Sequence, residues 1–113
     1  MSDCLFCSIV SGSIPATVVA ESVNAIAFRD ITPAAPVHVL VIPREHFDNV
    51  ADISSSNPDV AAELLALAAA VAKQEGLAAG YRIVTNTGDD GGQSVNHVHF
   101  HVLGGRSMTW PPG

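Results

Sequence analysis

Basic side chains are scarce: five lysines and arginines stand against eleven aspartates and glutamates in 113 residues, for a formal charge of -6. A general nucleic-acid binder carries a basic footprint, so that class is excluded. Any phosphate held here must be met by imidazoles, backbone N–H groups, hydroxyls or a metal. No run of eighteen apolar residues is present, so no membrane-spanning helix is expected. The alanine-rich stretch from Val60 to Ala72 comes closest, and Glu63, Lys73 and Glu75 interrupt or bound it. Asp3, with no basic cluster ahead of Leu5, does not fit the layout of a secretory signal, and the expected location is the cytoplasm. Cysteine is limited to two, in Cys4-Leu5-Phe6-Cys7. In a cytoplasmic chain that spacing favours a metal or redox pair over a structural disulfide.

What the chain does have is histidine in an ordered pattern, at positions 38, 46, 97, 99 and 101. His97, His99 and His101 alternate with Val98, Phe100 and Val102, the period of a strand with one buried face. One face should be core and the other imidazole. Neighbouring histidines on such a face stand roughly 7 Å apart and the outer pair about 13–14 Å, because a strand rises about 3.4 Å per residue. No single small ion can be held by all three, so they either line a long polyanion or divide between two tasks. His38 and His46 flank another apolar strand.

The length suits one domain over residues 1–113, and 48% hydrophobic residues suffice for a core, with burial between subunits a further help. Asp3 is the expected N-cap of a short helix carrying Cys4 and Cys7 one turn apart and ending near Ser11-Gly12. Thr17 to Glu21 and Ala25 to Arg29 read as a hairpin, and Val37 to Ile42 as an apolar strand stopped by Pro43. A helical turn is expected near Asp48 to Ile53, then a loop at Ser54 to Ser56. Asn57, Pro58 and Asp59 open one long helix whose Val60, Leu64, Leu67 and Val71 form an i, i+4, i+7, i+11 stripe, ended by Gly76 or Gly80. Tyr81 to Thr85 is a further strand, Gly88 to Gln93 a glycine-rich turn, and Val98 to Leu103 the histidine strand. The tail ending Trp110-Pro111-Pro112-Gly113 has no periodic pattern, and its tryptophan predicts docking. The class is α+β: a five-stranded antiparallel sheet, one long packing helix and a short N-terminal helix. Its two open edges suit dimerisation.

At His97-Val98-His99-Phe100-His101-Val102-Leu103 the chain resembles the histidine triad (HIT) superfamily, whose signature is His-φ-His-φ-His-φ-φ with φ apolar. Phe28-Arg29-Asp30-Ile31, the segment Pro36 to Pro43 with His38 in it, Gly91-Gly92-Gln93-Ser94 and the Trp-Pro-Pro-Gly close extend the resemblance to the nucleotide-binding branch. That resemblance implies a homodimer joining two sheets into ten strands, with residues 104–113 a tail near the dimer interface and active site. It implies hydrolysis of purine nucleoside 5′-phosphoramidates through a nucleotidyl-histidine, with purine nucleoside monophosphates as ligands. A neutral histidine suits the nucleophile, since about half or more is uncharged at pH 7. By resemblance His99 takes that role; His101 and Gln93 hold phosphoryl oxygens, Ser94 serves the leaving group, and His38 borders the phosphate. Asp30 would bind the ribose, Phe28 and Ile31 the purine, and Asn86 would lie beside the α-phosphate.

Some relatives carry a Cys₂His₂ site, which assigns Cys4, Cys7, His46 and His97 to a structural zinc tying residues 1–12 to the sheet. The alternative is two buried cysteines and a surface His46. Two other functions stay open: a non-catalytic purine-nucleotide-binding dimer, and a dinucleoside polyphosphate hydrolase.

Overall fold

The computed structural model describes residues 3–113, so Met1 and Ser2 of the expected 1–113 domain lie outside it. Five strands form one antiparallel sheet: β1 (Val18–Glu21), β2 (Ala25–Arg29), β3 (Val37–Pro43), β4 (Tyr81–Val84) and β5 (Phe100–Gly104). Their spatial order is β1-β2-β3-β5-β4, which puts the last strand of the chain between β3 and β4. Three helices accompany them: α1 (Leu5–Ser11), α2 (Val50–Ser56) and α3 (Pro58–Gln74). No helix is long and apolar enough to cross a membrane among the described residues.

Both faces of β2 and β3 are buried, because these strands carry apolar residues at odd and even positions alike, whereas β5 buries Phe100 and Val102 and leaves His101 and Leu103 half-buried. On one face Ala25, Ala27, Val39, Val41, Phe100 and Val102 pack against Leu64, Leu67, Ala68 and Val71 of α3. The small β2 side chains let that helix lie close to the sheet. On the other face Ile26, Phe28, Leu40 and Ile42 form a second cluster with Phe6 of α1. His38 and His101 belong to this second face, since Leu40 pairs with His101 across the β3–β5 ladder and strand residues alternate sides.

Several expectations need correction. The N-cap of α1 is Cys4, whose sulfur accepts the Cys7 N–H at 3.3 Å, not Asp3. The serines at 54–56 complete α2, which starts one residue after its Asn49 cap; Ser55 and Ser56 hydroxyls bond back to Asp52 and so tolerate helical backbone. The histidine ladder is Phe100–Gly104 and leaves His97 and His99 outside it. Pro43 ends β3 and Val84 ends β4, so the 97–99 backbone finds other partners: Val98 N–H donates to Phe47 C=O at 2.7 Å, and the Thr85 hydroxyl donates to His99 C=O at 2.9 Å. His97, His99 and His38 are buried. Trp110 is 82% exposed and does not dock on its own chain. By contrast Asn57 caps α3 as expected, its side chain accepting Val60 N–H at 3.3 Å with Pro58 in the first turn.

Candidate functional site

Three histidines meet beside a cavity of about 260 Å³ on the face away from α3. His99 and His101 line it together with Ser94, Phe28, Asp30 and Ile31. Their rings lean together, with centroids 5.0 Å apart for His99 and His101 and 5.1 Å for His101 and His38.

Hydrogen bonds fix which nitrogen of each ring bears the proton. His99 Nδ1 lies 2.8 Å from the carbonyl of His97, which can only accept, so Nδ1 carries the hydrogen and Nε2 keeps a lone pair. His38 Nδ1 receives the N–H of Ala34 at 3.0 Å, so its proton sits on Nε2. That Nε2–H points at His101 Nδ1, 2.8 Å away, with the Asp30 carboxylate a longer neighbour at 3.4 Å. His101 therefore accepts on Nδ1 and keeps its own hydrogen on Nε2. Neighbouring rings thus hold opposite tautomers: His99 offers a bare Nε2 and His101 an Nε2–H. Burial pushes His101 down to about 4, helped by His99 and His38 and opposed by Asp30. Burial also lowers His38, against the pull of Asp30. The pair is neutral at pH 7.

Not every expected contact lies on the cavity. Asn86 and Gln93 are absent from its lining. Asn86 Nδ2 donates to Gly91 C=O at 2.7 Å. Gln93 Nε2 donates to the carbonyls of Asp48 and Val95, and its Oε1 accepts Gly88 N–H at 3.1 Å. Both amides brace the glycine turn that delivers Ser94. Phe28 is buried in the wall, whereas Ile31 is 98% exposed at the rim. Asp30 also accepts Thr32 N–H at 2.8 Å, which holds its carboxylate in place. The sequence reading missed Leu5, Phe6 and Ile9 of α1 and Ile14, Pro15 and Ala16 after it, all of which line the cavity. Only tertiary folding brings that segment there.

The second cluster gathers Cys4, Cys7, His46 and His97, whose ligand atoms all lie within 4.8 Å of one another. His97 Nδ1 is 3.4 Å from Cys4 Sγ and 3.5 Å from Cys7 Sγ, and His46 Nδ1 is 3.4 Å from Cys7 Sγ. A tetrahedral zinc with Zn–S about 2.3 Å and Zn–N about 2.0–2.1 Å separates sulfur from nitrogen by about 3.5 Å. The donor set fits that ion. Its outer bonds fit too: His97 Nε2–H donates to Pro43 C=O at 2.9 Å and His46 Nε2 meets Asp48 Oδ1 at 3.0 Å, so both Nδ1 lone pairs face the sulfurs. Burial keeps His97 below its ordinary value. His97 therefore faces a different cluster from His101, as the division between two tasks requires.

A family model described as the HIT domain matches residues 11–108, beginning past both cysteines. The chain is 50% identical over 114 residues to the adenylylsulfatase HINT1 of Arabidopsis thaliana, spanning 99% of this chain and 78% of that protein. It is 50% identical over 113 residues to a 14 kDa zinc-binding protein of Brassica juncea, spanning 98% of this chain and all of the relative. Among solved structures, a HIT family hydrolase from Legionella pneumophila Philadelphia 1 superposes with a TM-score of 0.94 at 51% identity, over 98% of this chain and 100% of that one.

Proposed function

This chain belongs to the HIT domain family, and from that premise we propose that it hydrolyses purine nucleoside 5′-phosphoramidates to the monophosphate and an amine. The observation that carries the proposal is the pair of opposed tautomers on the cavity wall. His99 Nε2 attacks phosphorus as the P–N bond breaks, giving a nucleotidyl-histidine. The His97 carbonyl, bonded to Nδ1–H, stabilises the positive charge that develops on that ring. His101 Nε2–H donates to a phosphoryl oxygen, and His38 holds His101 in the tautomer that can do so. Ser94, exposed at the cavity, passes a proton to the departing amine. Water then attacks phosphorus and gives up a proton that restores the Ser94 hydroxyl, the P–Nε2 bond breaks and His99 is restored. Asp30 accepts from the ribose hydroxyls, while Phe28 and Ile31 flank the purine. Asn86 and Gln93 act on the turn, where their amides are already bonded, and not by touching phosphate.

Zinc is the metal that suits Cys4, Cys7, His46 and His97. With four protein ligands it would leave no open position for chemistry and would tie α1 to the sheet. A homodimer joined at a sheet edge is the proposed assembly. The open β4 edge carries exposed Tyr81 and Ile83, and Trp110 of the 104–113 tail lacks a cover on its own chain. One HIT domain spanning 1–113 is the corresponding domain assignment.

Hydrolysis of adenylyl sulfate is a second reading, favoured by the name of the Arabidopsis relative. Sulfate departs without a proton whereas an amine needs one, so Ser94→Ala should slow the phosphoramidate selectively. The primary test is His99→Ala assayed on adenosine 5′-monophosphoramidate. Turnover should fall by about a thousandfold or more while AMP binding stays within about tenfold, because the nucleophile acts chiefly in the transition state. Near-wild-type turnover would remove the proposal. Wild-type protein that binds AMP tightly but turns over neither substrate would be a nucleotide-binding module, and preference for a dinucleoside triphosphate would mark a polyphosphate hydrolase.

A further inference from the structure

The zinc-type cluster and the cavity share α1. Cys4 and Cys7 bracket Leu5 and Phe6, and both of those line the cavity, as does Ile9. Phe6 is the only buried side chain of the helix. Its ring meets the His99 ring edge-on, with centroids 5.1 Å apart and planes at 86°, and meets His97 at 6.0 Å. A seven-residue helix does not persist alone in water, so α1 depends on what anchors it. On one side that is Phe6, and on the other the sulfurs beside His46 and His97. His97 serves both ends of this arrangement: its Nδ1 faces the sulfurs, and its carbonyl fixes the proton of His99.

We infer that docking of α1 couples the Cys4/Cys7/His46/His97 site to the nucleotide cavity, so that zinc and a purine nucleotide each raise the other's affinity, with Phe6 as the positioning residue for His99. Zinc requires both sulfurs against the two imidazoles. A nucleotide requires the wall made by Leu5, Phe6 and Ile9. Each ligand selects the same docked arrangement, and linkage makes the effect equal in both directions. The inference rests on the nucleotide reading proposed above.

The test uses the full chain as purified without chelator, then stripped of metal and then reloaded with zinc. AMP affinity is measured by calorimetry on each form, and zinc affinity by competition with a chromophoric chelator, with and without saturating AMP. Stripping should weaken AMP binding by about tenfold, reloading should restore it, and AMP should tighten zinc by the same factor. In zinc-loaded Phe6→Ala, AMP binding should weaken to a similar degree with one zinc per chain retained. Amides of residues 5–11 should exchange more slowly when AMP is added to the loaded protein. AMP affinity equal within twofold in the loaded and stripped forms would overturn the coupling alone. Absence of AMP binding to the loaded form would overturn the nucleotide reading and the coupling with it. Loss of all far-UV circular dichroism on stripping would make the metal a staple for the whole fold, and the coupling would again be wrong.

Discussion

The opposed tautomers require His101 to stay neutral well below the ordinary range of histidine, and acid stability can test this without any substrate. The folded ring titrates at about 4 because burial penalises its charged form, whereas an unfolded histidine titrates near 6.5. Between these values the unfolded chain binds the additional proton, so stability falls as pH drops from about 6.5 towards 4 and is unaffected by this group above that window. At pH 5 the two values correspond to a loss of about 2 kcal/mol relative to pH 7.5. Partial exposure of the ring reduces the expected loss to roughly 1–2 kcal/mol. His38 is lowered as well and adds in the same direction. His101→Gln removes the titration while keeping a polar side chain of similar reach. Urea unfolding of zinc-loaded wild type and variant at pH 7.5 and 5.0 supplies four stabilities. Acid weakening of the metal cluster enters both proteins and cancels in the difference of differences. The variant should lose about 1–2 kcal/mol less than wild type on acidification. Equal losses, within about half a kcal/mol, would mean that His101 is not held neutral by its surroundings, and the assigned tautomers would fall with it.

Other outcomes follow from the same geometry. Leu64 is fully buried between α3 and the sheet, so Leu64→Ala should cost about 2–5 kcal/mol in denaturant unfolding with the catalytic residues untouched. Asn57→Ala removes the cap of the long helix and should cost about 1 kcal/mol by the same measurement. Cys4→Ser should abolish stoichiometric zinc in protein purified without chelator; full zinc content in that variant would refute the ligand assignment. Asp30→Asn should weaken AMP by about tenfold yet leave 2′,3′-dideoxy-AMP nearly unchanged, and equal loss for both ligands would remove the ribose contact.

The sheet was legible because its strands are short, largely apolar runs broken by Pro43, Gly80 and the turn at Gly88–Gly92, and α3 because its cap and stripe agree. The triad could be located from its alternation alone. Its division between two clusters was also within reach, since strand geometry separates His97 from His101. What the chain order hid was burial and partnership. Nothing local marks Phe6 as a neighbour of His99, because the two stand 93 positions apart and only docking of α1 brings them together. Gln93 and Asn86 carry the residue types that bind phosphate, but the same amides also satisfy backbone groups in a tight turn, and composition cannot choose between those uses. The serine run misled because helix propensity is weak where side-chain hydroxyls can bond to the preceding turn.

The placement of β5 bears on biosynthesis. The fifth strand in sequence is the fourth across the sheet, and both of its neighbours are translated earlier. Until residues through Gly104 have left the ribosome, β3 shows a bare hydrogen-bonding edge and β4 has nothing to pair with. The β1-β2 and β2-β3 pairings need only residues already translated, whereas the middle of the sheet must wait for β5. A product ending before His97 would hold neither histidine cluster complete and would leave β3 with an unpaired apolar edge, a template for aggregation and not for partial activity.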